Sequence, residues 1–340
     1  MNLLELSGLA ADRLPLPDVI LRTGIATRVA ATRRALAAAP EQAEADFVRD
    51  LAAMPVAIHT DAANQQHYEL PPDFFGLLLG PRRKYSSCLY APGETLAQAE
   101  ERALAETCAH ADLADGQHIL ELGCGWGSLS LWMAERYPAA RITAVSNSRP
   151  QRLHIEAQAA ARGLANLRVI TADMNVFAPE GQFDRVVSVE MFEHMSNWHD
   201  LLGRLRAWLK PQGRAFLHVF SHRRTPYRFH TEDRGDWIAR YFFTGGIMPS
   251  HGMIRHFGGL FTVEAEWQWS GAHYERTALH WLASMDANRP AVGRIMREVY
   301  GAEARMWTRR WRIFFLATAG LFGDSGGREW GVSHWRLKPA

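Results

Sequence analysis

The chain has 340 residues, of which 47% are hydrophobic, so it is long enough to bury a sizeable core. Its 38 basic and 36 acidic residues give a formal net charge of +2, which supplies no general electrostatic reason to bind nucleic acid. The three cysteines are too few and too scattered for a disulfide framework or a zinc site, so they favour a reducing compartment and predict no metal.

The sequence carries no recognisable targeting or membrane signal. Its first residues lack the basic stretch and apolar run of a signal peptide. The most apolar late run, residues 313–322, is far shorter than the roughly 20 residues that a spanning helix needs. We therefore expect a cytoplasmic protein without a transmembrane segment. Whether it forms a homodimer is left open by the sequence.

Helical periodicity dominates the first 80 residues. Apolar residues recur at helical spacing over residues 19–39 and again over residues 41–54, with Pro40 between the two runs. Prolines and glycines then interrupt the chain up to about Gly80. The pattern predicts an N-terminal helical extension over residues 1–80.

Short apolar strands alternate with helices in the middle of the chain. The predicted strands are 118–122, 141–145, 167–170, 183–189 and 214–220, and the predicted helices are 96–111, 128–137, 150–162 and 199–209. Such alternation is typical of a parallel, doubly wound sheet, which carries its functional loops at the carboxyl ends of the strands. We therefore predict an α/β core over residues 81–220. Helical cap insertions and two last strands, 261–267 and 330–335, are predicted for residues 221–340.

The loop after the first predicted strand contains three glycines at alternate positions. Gly123, Gly125 and Gly127 follow that strand directly, and a predicted helix begins at Ser128. Glycine lets the backbone turn tightly and approach a ligand closely, and the helix start offers free N–H groups. The G-x-G-x-G spacing differs from the G-x-G-x-x-G of dinucleotide enzymes, and it suits a cofactor with an amino acid carboxylate. The loop therefore predicts an S-adenosylmethionine-dependent methyltransferase, with a purely structural turn as the alternative.

The ends of the second and third strands offer partners for the adenosine of this cofactor. An acidic residue usually binds the ribose here, but residues 146–148 are Ser-Asn-Ser. Asn147 and Gln151 are therefore the candidate ribose ligands. Asp173 is the candidate acceptor for the adenine amino group, with Met174 packing nearby. A helix cap or turn is the alternative role of Asp173.

Two carboxylates and an imidazole follow the fourth predicted strand. Glu190, Glu193 and His194 stand where a doubly wound fold presents its chemistry, and the apolar residues between them keep the surroundings dry. An amine that accepts a methyl group needs a free lone pair, so a carboxylate can attract its ammonium form and a base must take the proton. We predict that these three residues are catalytic. The alternatives are a cap of the next helix and a metal site, for which the second histidine of H-E-x-x-H is missing.

Four motifs resemble the cyclopropane-fatty-acid synthase superfamily, and within it they are most similar to the coclaurine N-methyltransferase branch. The motifs are Lys84-Tyr-Ser-Ser-Cys88, the glycine loop, residues 189–195 and residues 242–250. The resemblance runs from about residue 65 to the end, and it implies a class I, Rossmann-like methyltransferase fold with a seven-stranded sheet and a helical cap. The cofactor contacts that it implies are Tyr85, Ser86, Gly123, Asn147, Gln151, Asp173 and Met174.

The resemblance leaves two substrate classes to weigh. The N-methyltransferase branch has its catalytic cluster at Glu190, Glu193 and His194, which favours a small, aromatic or alkaloid-like amine. The lipid-modifying branch acts on unsaturated acyl chains, usually has Gly in place of Glu190, and binds bicarbonate through a Cys, a Glu, a His, an aliphatic residue and a Tyr. Those positions correspond here to Ser87, Glu193, His218, Phe220 and Tyr274. The Ser and the Phe depart from that pattern, so N-methylation is favoured over lipid modification, and a non-catalytic S-adenosylmethionine-binding module is the third hypothesis.

Aromatic residues are frequent late in the chain. A cluster of rings there predicts an apolar pocket with aromatic walls: Trp267, Trp269, Tyr274 and Trp281. Such a pocket suits an aromatic amine, because ring faces attract cations. Packing against the sheet is the alternative for all four, and an inward-facing sheet histidine is the alternative for His218.

Overall fold

The computed structural model describes residues 14–58, 70–229 and 237–340. Parts of the predicted helical extension, residues 1–13 and 59–69, lie outside the described residues. The point near residue 65 where the resemblance begins lies outside them as well.

Seven strands form one mixed sheet, as predicted. The strands of the described residues are β1 His118–Leu122, β2 Arg141–Ser146, β3 Leu167–Thr171, β4 Phe183–Val189, β5 Leu209–His222, β6 Tyr227–Arg228, β7 Ile247–Met248, β8 Phe261–Ser270 and β9 Trp330–Pro339. The sheet order is β3-β2-β1-β4-β5-β9-β8, and β6 pairs with β7 in a separate ribbon. Strands β1 to β5 pair in parallel, whereas β9 runs antiparallel to both β5 and β8. The chain order reverses beside β1, so the carboxyl end of β1 is the switch point where such folds bind ligands.

Helices cover the sheet and form the cap. They are α1 Asp18–Ala37, α2 Ala43–Ala52, α3 Pro72–Leu78, α4 Leu96–His110, α5 Ser128–Arg136, α6 Arg149–Ala161, α7 Trp198–Trp208, α8 Trp237–Tyr241, α9 Gly271–Ala287, α10 Arg289–Tyr300 and α11 Ala304–Phe322. Local sequence explains several ends. Thr95 and Gln98 form a capping box at the start of α4, and the Ser148 side chain accepts from the Gln151 N–H at the start of α6. Gly163 follows α6 with φ +68°, a conformation that favours glycine.

The fifth strand begins earlier than the sequence predicts. Pro211 lies between the predicted helix 199–209 and the predicted strand 214–220, but in the structure it is part of β5. The pairing of β5 with β4 shifts register between Phe183 and Arg185, and on β5 the matching residues are Leu209 and Arg214. The extra residues form a bulge, where the missing N–H of proline costs no ladder hydrogen bond.

The N-terminal helices pack at two separate places. Helix α1 packs on α11 of the cap, where Arg312 binds Asp18 and Gly320 lies against Ile25. Helix α2 instead packs against α7, and its Glu44 bonds Ser250. No helix in the described ranges is long and apolar enough to cross a bilayer.

Candidate active site

The glycine loop lies at the carboxyl end of β1. Gly123, Gly125 and Gly127 have φ angles of +79°, +52° and +83°, a region that other side chains rarely adopt. A Cβ atom on Gly123 would come within 2.5 Å of the Met191 Cβ, whereas one on Gly125 would meet nothing within 4 Å. Gly125 thus keeps space open in the two clefts that it lines.

A cleft of about 740 Å³ runs along the ends of β1, β2 and β3. The predicted cofactor residues in its lining are Gly123, Gly125, Asn147, Gln151, Asp173 and Met174. Ala57 and Ile58 of the N-terminal extension also line it, although nothing in the sequence pointed to them. Glu190 and His194 line it as well.

Two polar side chains of this cleft suit an adenosine. Gln151 is buried, its Oε1 accepts from Ser146 Oγ at 2.6 Å, and its Nε2 has no hydrogen-bond partner among the described residues. A buried donor without a partner is costly, and a ribose hydroxyl would satisfy it. Asp173 Oδ1 accepts from the Asn175 N–H at 2.8 Å, so this residue makes a turn while it lines the cleft. The residues present therefore fit the adenosine half of S-adenosylmethionine.

A second cleft, of about 610 Å³, lies on the other side of the loop and is lined by Tyr85 and Ser86. The buried Lys84 holds this segment, since its Nζ donates to Ser86 Oγ and to the Ser87 carbonyl, each at 2.6 Å. Burial lowers the pKa of Lys84. Lys84 stands in a motif that the sequence singled out, but its inward contact was not anticipated.

Glu190 lies where both clefts meet a third cavity. Its Oε1 accepts from the Ser87 N–H at 2.9 Å and lies 3.2 Å from His218 Nε2, and its Oε2 accepts from the Tyr274 hydroxyl at 2.6 Å. Burial raises the pKa of Glu190, and the positive charge of Lys84 opposes that rise. Its φ of +49° lies in the left-handed region, which is strained for any residue with a side chain.

The other two residues of the predicted catalytic cluster lie on a 3₁₀ turn, Phe192–His194. Glu193 is 0% exposed, its Oε1 accepts from the Phe220 N–H at 2.7 Å, and its Oε2 has no partner in the described part of the chain. Burial, and then the charge of Glu190, raises the pKa of Glu193 well above its usual range. His194 lines both the first cleft and the third cavity, with its ring centroid 4.5 Å from that of Phe243.

The third cavity, of about 820 Å³, is walled mainly by rings. Its aromatic lining residues are Tyr85, Phe220, Phe229, Phe243, Tyr274, Trp281, Phe314 and Phe322. Glu190 is the acidic side chain of the lining and His194 the imidazole. An apolar cavity with a few polar groups at one end is the usual form of a small-molecule site, and its ring faces attract a cation.

Several predicted pocket residues lie elsewhere. Ser87 and His218 are 0% exposed and contact Glu190 from behind, so they support the cavity rather than line it. Of the predicted aromatic wall, Tyr274 and Trp281 line the third cavity, whereas two residues of β8 are not in its lining. Trp267 stacks on His110 at 3.8 Å, and Trp269 meets His334 edge-on at 4.3 Å.

The sequence did not predict the residues of the cap that line the third cavity. Phe314, Thr318 and Leu321 line it from α11 at helical spacing. Such a stripe is indistinguishable from ordinary core packing until the partner surface is known. Phe243 belongs to the motif of residues 242–250, which carries the family resemblance but to which the sequence assigned no function.

The sheet order, the glycine loop at its switch point and the cleft beside that loop define an S-adenosylmethionine-dependent methyltransferase. The chain belongs to the family described as mycolic acid cyclopropane synthetase, whose model matches residues 57–325. It is 33% identical over 299 residues to (S)-coclaurine N-methyltransferase of Thalictrum flavum subsp. glaucum, covering 86% of this chain and 83% of that protein. It is 28% identical over 270 residues to cyclopropane-fatty-acyl-phospholipid synthase of Escherichia coli (strain K12), covering 79% and 66%.

A solved structure is similar to this protein along almost the whole length of both chains. A crystal structure of coclaurine N-methyltransferase bound to N-methylheliamine and SAH superposes with a TM-score of 0.93 at 30% identity. The match covers 97% of this chain and 98% of that one. The predicted family, fold, enzyme class and cofactor are thereby confirmed.

Proposed function

We propose that this enzyme transfers the methyl group of S-adenosylmethionine to the nitrogen of a small amine that carries an aromatic ring system, as alkaloids do. The observation that carries the proposal is the position of Glu190, a carboxylate at the junction of the cofactor clefts and the aromatic cavity. Relatives named coclaurine, pavine and tetrahydroprotoberberine N-methyltransferase support the substrate class.

The cavity suits an aromatic ammonium ion in both shape and charge. Its rings offer stacking surfaces and favourable faces for a cation. The ammonium charge favours the ionised forms of Glu190 and Glu193, whose pKa values burial raises. One of these carboxylates then takes the ammonium proton and frees the lone pair, and His194 assists at the cavity edge.

Eight residues are proposed to hold the cofactor: Tyr85, Ser86, Gly123, Gly125, Asn147, Gln151, Asp173 and Met174. When bound, S-adenosylmethionine supplies an electrophilic methyl group on a sulfonium. The chain's own contribution is to align the amine nitrogen with that methyl group and to exclude water, which accounts for much of the acceleration expected of such transfers.

Glu190 also supplies a reason to favour amines over lipids. The resemblance assigns Ser87, His218 and Tyr274 to the bicarbonate set of the lipid-modifying branch. Here the Ser87 N–H, the His218 imidazole and the Tyr274 hydroxyl all bond the Glu190 carboxylate. A side-chain carboxylate thus occupies the donors that a bicarbonate ion would need.

Transfer of a labelled methyl group distinguishes the candidate substrates. The enzyme and labelled S-adenosylmethionine are incubated with coclaurine, with heliamine, with an aliphatic amine, and with vesicles of unsaturated phospholipid. We expect the label on the aromatic amines. Label on the lipid would overturn the proposal in favour of methylene or methyl transfer to acyl chains, and no label on any acceptor would favour a non-catalytic module.

The Glu193→Gln variant tests the catalytic role with little change of shape. Its turnover should fall by about 10² to 10⁴, the usual contribution of a general base, while cofactor affinity measured by calorimetry stays within about twofold. The control is Glu180→Gln, which removes an exposed carboxylate. Undiminished turnover by the Glu193 variant would contradict the mechanism. Whether the protein forms a homodimer is a separate question, which sedimentation would answer.

A further inference from the structure

A continuous line of hydrogen-bonding groups connects Glu190 to the surface through three histidines. His218 Nε2 lies 3.2 Å from Glu190 Oε1, and His218 Nδ1 lies 2.9 Å from His334 Nε2. His334 Nδ1 lies 2.8 Å from His110 Nδ1, and His110 Nε2 lies 3.0 Å from Glu106 Oε1. His218 and His334 are 0% exposed, whereas the Glu106 side chain is 46% exposed. The line therefore runs from the reaction site to solvent.

Three separate elements build this line. His218 on β5 and His334 on β9 are directly opposed in the antiparallel register. His110 is the last residue of α4, which lies against β9, and Glu106 is one helical turn earlier. The three histidines lie on different elements, so their alignment is a tertiary feature.

The surroundings keep the three imidazoles neutral. Burial lowers the pKa of His110, and lowers those of His218 and His334 far below the usual value. The negative charge of Glu106 and its hydrogen bond to His110 oppose the fall of the His110 pKa, whereas the positive charges of Arg336 at His110 and of Lys84 at the other two histidines add to it. Trp267 and Trp269, which the sequence assigned to a substrate pocket, form part of the apolar wall around the line.

The line has two proton arrangements in which all of its hydrogen bonds are formed. Four hydrogen bonds need four protons, and three neutral imidazoles supply only three. If Glu190 carries the fourth, every bond from Glu190 to Glu106 is satisfied with all donors pointing outward. If Glu106 carries it, every bond is again satisfied with all donors pointing inward. The two states differ by the transfer of one proton from the buried carboxyl to the exposed one.

We propose that His218, His334 and His110 relay the proton that the amine loses from Glu190 to Glu106 and on to water. The proposal rests on the proposed function and takes Glu190 as the carboxylate that receives that proton. The ammonium N–H bond breaks and an O–H bond forms on Glu190. Glu190 then protonates His218 Nε2, while the Nδ1 proton of His218 passes to His334 Nε2.

The same exchange continues to the surface. The Nδ1 proton of His334 passes to His110 Nδ1, and the Nε2 proton of His110 passes to Glu106, which releases it to water. One proton moves and no electrons are exchanged between residues. Before the next cycle the proton of each imidazole returns to its other ring nitrogen, which restores the first state. The relay returns Glu190 to its carboxylate form without opening the cavity to solvent.

The His334→Gln variant breaks the relay but keeps an amide that can donate and accept hydrogen bonds. We expect kcat with an aromatic amine to fall by about tenfold or more, with KM and cofactor affinity within about twofold. We also expect the remaining kcat to depend on buffer concentration and to show a changed solvent isotope effect. His118→Gln is the matched control, because His118 is a β1 histidine that bonds the Gln182 carbonyl outside the line.

The His110→Ala variant opens the line near the surface, where small molecules can enter. Added imidazole should restore a large part of its lost kcat and should have no effect on the wild type. A folded His334→Gln with wild-type kcat, or a slow His110→Ala that imidazole does not rescue, overturns the relay. If the wild type itself methylates no amine, the proposed function fails, and that result is distinguishable from failure of the relay alone.

Discussion

Glu190 adopts a backbone conformation with φ +49° that side chains usually avoid. The resemblance gives glycine at this position in the lipid-modifying branch, where such a conformation costs nothing. A non-glycine residue there costs about 1–2 kcal/mol. The strain is tolerated here because the carboxylate gains three hydrogen bonds, from Ser87, Tyr274 and His218.

The Glu190→Gly variant should release this strain and remove the carboxylate. Its turnover should fall by about 10² or more. The freed donors of Ser87, His218 and Tyr274 should then bind a small anion, so added formate or bicarbonate should restore part of the turnover. Glu190→Gln leaves no space for an anion and is the control that should not be rescued. Equal behaviour of the two variants in formate would contradict this account.

The buried Glu121 should make the free energy of unfolding depend on pH. It is buried beneath the glycine loop, accepts from Ser130 Oγ at 2.5 Å, and burial raises its pKa from 4.5 to about 7. The unfolded chain ionises this carboxyl first, so its contribution to stability is present at low pH and is lost as the pH rises through the folded pKa. The loss between about pH 4.5 and pH 7 amounts to about 3 kcal/mol.

The Glu121→Gln variant should lack that loss. The free energy of unfolding of the variant, measured relative to the wild type in urea, should therefore rise by about 3 kcal/mol over this interval. Glu180→Gln should show no comparable change, because its side chain is exposed. A constant difference between the wild type and Glu121→Gln across the pH range would be incompatible with a buried, proton-binding Glu121.

At the scale of elements, the glycine loop combines two separable requirements. Gly125 and Gly116 both have positive φ, and a Cβ on either would meet nothing within 4 Å. They differ in position, because Gly125 lines both cofactor clefts. An alanine would therefore be strained at either position, but of the two glycines only Gly125 lines the clefts.

Alanine at each glycine separates these requirements. Gly125→Ala and Gly116→Ala should each lower the free energy of unfolding by about 1 kcal/mol through strain. Gly125→Ala alone should weaken S-adenosylmethionine binding, by about tenfold or more, because its methyl group would stand in the space for the ligand. Calorimetry of both variants measures this. Similar cofactor affinities would place the ligand away from Gly125.

At the scale of the whole molecule, the N-terminal extension is part of the site. Asn175 accepts from the Ala57 N–H at 3.0 Å and donates to the Ala57 carbonyl at 3.1 Å. Ala57 and Ile58 line the first cleft, so residues far apart in the chain enclose this cleft together. The division into residues 1–80, 81–220 and 221–340 stays a prediction, and contacts such as these cross its first boundary.

The Asn175→Ala variant should release the segment around Ala57 from the cleft. Cofactor affinity should fall by about fivefold to tenfold, the worth of about 1 kcal/mol of lost contact. Hydrogen exchange near Ala57 should accelerate. Asn166→Ala is the control, since Asn166 also bonds two carbonyls, of Ala134 and Tyr137, but away from the cleft. Equal cofactor affinities of the two variants would argue against a role for the extension in the site.

Local sequence patterns predicted the core strands closely, because the spacing of apolar residues along a strand involves only a few neighbouring residues. The first and fourth strands, His118–Leu122 and Phe183–Val189, were predicted to the residue. The cap was predicted only as helices and loops. Its stripe of Phe314, Thr318 and Leu321 needed the partner surface before it could be assigned to a cavity.

The sequence by itself determined the class of fold, and it predicted the cofactor loop and the cluster of Glu190, Glu193 and His194 from short runs of residues with a characteristic spacing. Only the tertiary structure decided that Ser87 and His218 lie behind Glu190 and that Trp267 packs on a histidine. It also aligned the relay histidines, His110 with His334 across 224 positions of the chain. The physical reason is register, since strand pairing and helix docking choose which distant side chains meet.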